Sequence, residues 1–347
     1  MVERQDLAVR HVRRACALAL LLMCPSVLWA QDDYSDKDFS LRLPPAVIRF
    51  IEVSAAGGGT VANRLSSSVN PASADWTHAP SKHGMIMAPY YSLVAFEEGT
   101  RLHVTGESFT WDTRKWGTIQ PSTVQIRSNR ATNRMGLTFD YTVDYAQLQW
   151  AKRCGDSAIG VNVNYAKANI TQDFGLLRVN DGDAENYRVR VGGLHQLAEK
   201  WLLGMAVEYG FSPYDADAMA LTPQGPVPVR LRGTQHEFIL RPGVSYEYAP
   251  YSTVYADYQY GRFGNKGAHL LSHWWVAGVD HRLLQWLFVR ASSSIDARGN
   301  AGATCGLGAY VSRRCLIDLG YQYDVLPELQ PEFGRSQLFQ FTLSAWF

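Results

Sequence analysis

The sequence predicts an all-β protein, a transmembrane antiparallel β-barrel of about 14 strands with an N-terminal plug. Three observations carry that expectation. The chain ends on Gln337 to Phe347, where Phe339, Phe341, Leu343, Ala345 and Phe347 share one strand face and Gln340, Thr342 and Ser344 the other. A strand apolar outside, polar inside and closed by an aromatic residue suits the last strand of a lipid-embedded barrel. Beyond the leader no run reaches the roughly 18 consecutive apolar residues of a membrane helix, which leaves the closed barrel as the spanning structure. Modest alternations of apolar and polar residues then recur from Met87 to the C-terminus.

Residues 1–30 read as a secretory signal peptide. Arg4, Arg10, Arg13 and Arg14 precede an apolar run, Ala15 to Val27, too short to cross a bilayer and ending near Leu28-Trp29-Ala30. Cleavage before Gln31 removes these four Arg with Glu3 and Asp6, so the formal charge of +1 becomes +1 − 2 = −1. Near-neutrality argues against nucleic acid, which needs a basic face. The cysteines left, Cys154, Cys305 and Cys315, are odd in number and contain no C-x-x-C pair. They point to buried free thiols and give no sign of a metal site or a cofactor.

Residues 31–84 form an irregular segment, with Ala55-Ala56-Gly57-Gly58-Gly59, Ser66-Ser67-Ser68 and Asn70-Pro71-Ala72. A lumen about 14 strands around is wide enough to need filling, because eight strands already accommodate packed side chains. Such a segment either trails into the periplasm or folds inside the lumen, and the part from Leu41 to Pro80 is expected inside the barrel as a plug. Gly57 to Gly59 is no phosphate loop, since no Gly-Lys-Ser/Thr follows.

Residues 85–347 supply the strands, expected to begin near residues 87, 100, 119, 134, 157, 184, 200, 233, 252, 267, 284, 300, 314 and 335. Leu203, Met205, Val207, Tyr209 and Phe211 alternate with Gly204, Ala206, Glu208 and Gly210, and comparable patterns run over 238–248 and 315–325. Tight turns fall near Gly155-Asp156, Ala198-Glu199, Ala249-Pro250, Arg282-Leu283 and Ser312-Arg313. Longer connections fall at Gly175 to Asp183, Ser212 to Arg232 and Pro327 to Gly334, the asymmetry of short periplasmic turns and long outer loops. Trp150, Trp201, Tyr248 and Tyr251 flank the short turns, as an interfacial girdle would. One strand changes parity: Met135, Leu137, Phe139, Tyr141, Val143 and Tyr145 share one face, Leu148 and Trp150 the other. Strand curvature, or a β-bulge near Ala146-Gln147 opening the wall locally, accounts for this.

Gly57-Gly58-Gly59-Thr60-Val61-Ala62, then Ser67-Ser68-Val69-Asn70-Pro71-Ala72, then Pro80 and a first strand, resembles the FadL family of hydrophobic-compound transporters. The resemblance implies a 14-stranded barrel with an N-terminal hatch to which Asn70, Pro71 and Ala72 belong. It also implies passive uptake of small hydrophobic molecules across the bacterial outer membrane, gated by the hatch. The alternative is a general-diffusion porin or a structural barrel without a dedicated substrate.

Charges expected on the lumen face are Glu107, Arg127, Asp140, Arg188, Arg190, Glu237, Arg241, Asp257 and Asp318, with His103, Asp144, Glu247, Arg290 and Asp324 on the same register. Mixed signs in a narrow lumen pair with one another first, and form a binding patch second. That lining disfavours an apolar path through the barrel centre. A hydrophobic ligand would instead meet Leu176-Leu177 or Met219-Ala220-Leu221 near the outer loops and pass sideways through the wall. No Gly-x-Ser-x-Gly elbow, His-Glu-x-x-His or metal-ligand spacing marks an enzyme. The expected partners are outer-membrane lipid, a small hydrophobic substrate, and the barrel-assembly machinery acting on the strand that ends in Phe347.

Overall fold

The computed structural model describes residues 60–62, 69–76, 84–132, 136–222, 225–264, 269–297, 299–324 and 333–347. The signal-peptide expectation and most of the 31–84 segment lie outside these residues. Among the described residues no helix is long and apolar enough to cross a membrane.

The chain forms a closed transmembrane barrel of 14 antiparallel strands. They are β1 (Met85–Phe96), β2 (Arg101–Asp112), β3 (Thr118–Ser128), β4 (Leu137–Cys154), β5 (Ser157–Phe174), β6 (Leu177–Ala198) and β7 (Trp201–Thr222). They continue as β8 (Gly225–Ala249), β9 (Ser252–Gly264), β10 (His269–Leu284), β11 (Leu287–Asp296), β12 (Ala301–Ser312), β13 (Cys315–Tyr323) and β14 (Ser336–Trp346). A two-residue pairing at Ala131–Thr132 prolongs the line of β3 along β4. Each strand pairs with its sequence neighbour, and β1 pairs with β14 from Ile86↔Trp346 to Phe96↔Ser336. Closure leaves no open edge, which a bilayer demands of any sheet that crosses it. Phe339, Phe341 and Phe347 stand exposed on the outer face of the closing strand.

The two rims differ. At the near rim, where the barrel begins at Met85 and ends at Phe347, the strands join through turns such as Gly155-Asp156, with Gly155 at φ 62°. At the far rim, the expected loops 175–183 and 212–232 are strand instead. β5 and β6 continue to a turn at Gly175-Leu176, and β7 and β8 stay paired as far as Thr222↔Gly225. These stretches carry Asn180-Asp181-Gly182, Pro213, Pro226 and Pro228, residues that read as turn or loop in a sequence. Asp215 pairs with Arg230 and Arg232, and Arg178 with Asp173 and Asp181. Exposed outward residues Ile159, Val163, Val189, Val191, Leu203 and Met205 form the apolar band. Trp111, Trp286 and Tyr251 mark its near edge. At its far edge the tyrosine hydroxyls reach histidine Nδ1 atoms, Tyr91 to His103 at 2.8 Å, Tyr209 to His236 at 2.9 Å and Tyr258 to His273 at 2.7 Å. An apolar ring with a polar tip suits that boundary.

No bulge interrupts β4. Its register runs unshifted against β3 from Thr118↔Ala151 to Arg127↔Thr142, and against β5 over the whole strand. The parity change has another cause. Phe139, Tyr141, Val143 and Tyr145 point inward and are buried, whereas Leu148, lower on the strand, faces out and is 56% exposed. The apolar face changes sides along one regular strand.

Candidate functional site

The inner face is identified by what touches it. Residues 60–62 and 69–76 lie against it at the near half of β4 to β9. Pro71–Asp75 make one turn of 3-10 helix capped by Asn70, whose side chain accepts from Ala72 N at 3.1 Å. Proline at the first position has no N–H to leave unpaired and its φ is already set, and Asn is among the best residues for the cap. The other end of the same amide donates to Val61 O at 2.8 Å and to Gly193 O on β6 at 3.0 Å. Asn70 is fully buried, so these bonds have no water to replace them.

Pro71 O accepts from Gln149 Nε2 on β4 at 3.2 Å. Asp75 is held twice, by Thr118 Oγ1 at 2.6 Å and by Arg153 N at 2.5 Å. Ala72 and Trp76 pack on Ala158, Leu194 and Leu202, and the Arg153 guanidinium covers the Trp76 ring at 4.2 Å. On the other flank, Asp257 of β9 accepts from Thr60 Oγ1 at 2.7 Å, Val61 N at 2.8 Å and Arg241 Nη2 at 2.9 Å.

A stripe of glycines makes room for this backbone. A Cβ on Gly160 would lie 2.4 Å from the Pro71 carbonyl carbon, one on Gly192 2.0 Å from Asn70 Oδ1, and one on Gly204 2.4 Å from Val61 O. Gly243 on the next strand is closed in the same way by Val61 and Asp257. Four neighbouring strands, β5 to β8, therefore share one groove shaped for main chain.

Beside the groove lies a buried charged belt. Arg188 pairs with Glu237 and with Glu208, at 2.5 Å and 3.1 Å, and Arg190 also pairs with Glu208. Across the lumen Arg290 pairs with Asp318. Toward the far rim the interior of β1 to β6 turns apolar. Val94, Leu102, Val104, Ile126, Phe139, Tyr141, Val143 and Ile170 are buried there together, and Phe333 meets both Phe96 and Phe139 with ring centroids 5.4 Å apart.

The structure places Arg188, Arg190, Glu237, Arg241, Asp257 and Asp318 on the inner face. Glu107, Arg127 and Asp140 lie on the outer face, with His103 and Asp144, and correct the lumen set. Register settles this: Gln149 and Gly160 face in, so their partners alternate to put Val124, Val143 and Tyr145 inside and Arg127, Asp140, Asp144 and Glu107 outside. Arg127 and Asp144 form an exposed surface pair. The expected lining of mixed charges thus gives way, in this sector, to an apolar one. Leu176 is fully exposed at a turn tip and lines nothing. The thiols of Cys154 and Cys305 are free but exposed, which corrects the expectation that they are buried. Sequence reasoning missed Glu208, Gln149 and the glycine stripe, whose only signal is small residues recurring at one parity on successive strands.

No protein-family model matches the chain, and no curated protein matches it in sequence. Solved structures do match in shape. The CymD monoaromatic hydrocarbon channel aligns with a TM-score of 0.57 over 85% of this chain and 98% of that one, at 12% identity. The Ralstonia pickettii toluene transporter TbuX gives the same values. A Pseudomonas aeruginosa FadL homologue aligns with a TM-score of 0.51 over 84% and 96%, at 10% identity. The fold is FadL-like. This FadL-like barrel combines a main-chain groove that seats residues 60–62 and 69–76, a paired charged belt and an apolar far half.

Proposed function

We propose that this protein is an outer-membrane channel for passive uptake of small hydrophobic molecules, with the near rim periplasmic and the far rim extracellular. The observation that carries the proposal is the apolar interior of β1 to β6 at the far end, above a belt whose charges are paired. An apolar molecule entering there parts side chains already packed on one another, Leu102, Ile126, Phe139 and Val143, and gains about 25 cal/mol per Å² of its own surface taken out of water. The charged belt below offers it no such gain, so the far half is where it binds. The segment through Asn70, Pro71 and Ala72 acts as the hatch, held in the glycine groove and released to let cargo pass. Toluene transport and monoaromatic hydrocarbon passage, stated for TbuX and CymD, agree with this reading. The C-terminal strand ending in Phe347 is the handle for barrel-assembly machinery.

The test is paired. Cells or proteoliposomes carrying the protein should take up a monoaromatic hydrocarbon such as toluene faster than controls, while planar bilayers show only small currents. Large steady ohmic steps with no hydrocarbon uptake would favour a general-diffusion porin and defeat the proposal.

A further inference from the structure

We infer that the outer wall around Glu107 is an interface between two copies of this chain within the membrane, whatever passes through the lumen. On β1 the outward row Met87, Pro89, Tyr91, Leu93 and Ala95 is apolar apart from one tyrosine hydroxyl. On β5 the outward row Ile159, Val161, Val163 and Tyr165 is likewise suited to lipid. Between them the wall departs from this pattern. Glu107 on β2 stands in register with Pro89 on one side and Thr123 on the other, and Thr105 with Gln125.

All four of these polar residues are exposed. Among the described residues none of their side chains has a hydrogen-bond or ionic partner. Glu107 lies five residues along β2 from Asp112. At ~3.4 Å per residue and a tilt of 35–45° that places it about 13 Å into an apolar band about 25 Å tall. Lipid tails offer such groups nothing, and polar side chains at membrane depth are satisfied by other protein.

The strip is complementary to itself. It holds an acceptor, the Glu107 carboxylate, and donors, the Gln125 amide and the Thr105 and Thr123 hydroxyls, on adjacent strands at one depth. A two-fold axis along the membrane normal keeps both barrels in the same orientation and preserves depth. An axis between β2 and β3 sets Glu107 against Gln125 of the second copy, and Gln125 against the second copy's Glu107. Phe109 and Trp111, 40% and 46% exposed below the strip, continue the contact toward the near rim. Polar residues join membrane segments in this way because their alternative is an unpaired group in hydrocarbon.

The experiment uses the mature protein with Cys154, Cys305 and Cys315 changed to Ser, folded in lipid nanodiscs and in native outer membranes. Thr123→Cys should give a disulfide-linked dimer on mild oxidation, at least tenfold more than Val163→Cys on the outer face of β5. Mass photometry of the unoxidised protein in lipid should read two copies. Glu107→Leu combined with Gln125→Leu should return one copy and remove the crosslink while the folded, heat-modifiable gel band persists. Glu107→Gln, which keeps a hydrogen-bonding group, should retain the dimer. A single copy for the unsubstituted protein, or equal crosslinking at 123 and 163, would overturn the inference. So would a strip occupied by a different protein or by lipopolysaccharide.

Discussion

A Cβ built on Gly192 would lie 2.0 Å from Asn70 Oδ1, so the wall of β6 and the turn beginning at Asn70 fit only while residue 192 has no side chain. Gly193, its neighbour on the opposite face, has no atom closer than 4.0 Å to the same construction. Gly192→Ala should therefore push the Asn70–Asp75 turn off its seat at a cost of about 1–3 kcal/mol, the usual range for overpacking. The barrel's own ladder is unaffected, because alanine is ordinary in a strand. We expect a rise in leak current across planar bilayers for Gly192→Ala and none for Gly193→Ala. Equal currents from the two variants would remove the groove from any role in gating.

Asn70 links three main chains with one amide. Asn70→Ala would leave Val61 O, Gly193 O and Ala72 N buried without these bonds, a loss of about 1–3 kcal/mol at the seat. Asn70→Asp keeps the cap but turns a buried carboxylate oxygen toward Val61 O and Gly193 O, so it should cost at least as much as alanine. Pro71→Gly should add about 1 kcal/mol of looseness through unfolded-state freedom alone. Hydrogen exchange over residues 69–76 should rank the three variants, with barrel amides unchanged. Protection unaffected by Asn70→Ala would show that the turn is held by its apolar contacts instead.

The barrel was legible because its evidence is repetitive. Fourteen alternating segments, tight near-rim turns and a Phe-terminated strand each restate one architecture. Strand starts were read within three residues except on β6 and β8, where Asn180-Asp181-Gly182 and Pro226 with Pro228 read as loop. Facing was harder. Alternation states that two faces differ and leaves open which is inside, and a one-residue choice inverts every side chain. On β2 to β4 the assumption that apolar means outward failed, because there the lumen itself is apolar and the outer face holds Arg127 and Asp144. Asn70-Pro71-Ala72 was visible as a motif, whereas the glycines that receive it are spread over four strands and converge only in three dimensions.

That apolar lumen gives a sharp test of the transport reading. Val143 is fully buried within the interior cluster, and Val143→Asn changes its polarity at similar size. An amide there has to be desolvated or keep water beside it, at roughly 1–3 kcal/mol. If hydrocarbon binds against this surface, its uptake should fall about tenfold or more while leak current stays low. Lys167→Asn on the outer face of the neighbouring strand should change neither. Unaltered uptake in Val143→Asn would move the path away from the β4 sector.

The charged belt separates pairing from binding. Arg188 is fully buried and shared by Glu208 and Glu237. Arg188→Ala leaves one cation, Arg190, for two buried carboxylates, and breaking a buried pair in this way typically costs about 3–5 kcal/mol. Removing charge evenly should not. Arg188→Met with Glu237→Leu takes out one cation and one anion and leaves the Arg190–Glu208 pair, so stability should return to within about 1–2 kcal/mol of the native chain. The temperature at which the folded gel band is lost reads both outcomes. If the belt is structural, the double variant should also keep native hydrocarbon uptake. If it binds cargo, uptake should stay low even where stability is restored, because the charges themselves would then be what the substrate meets.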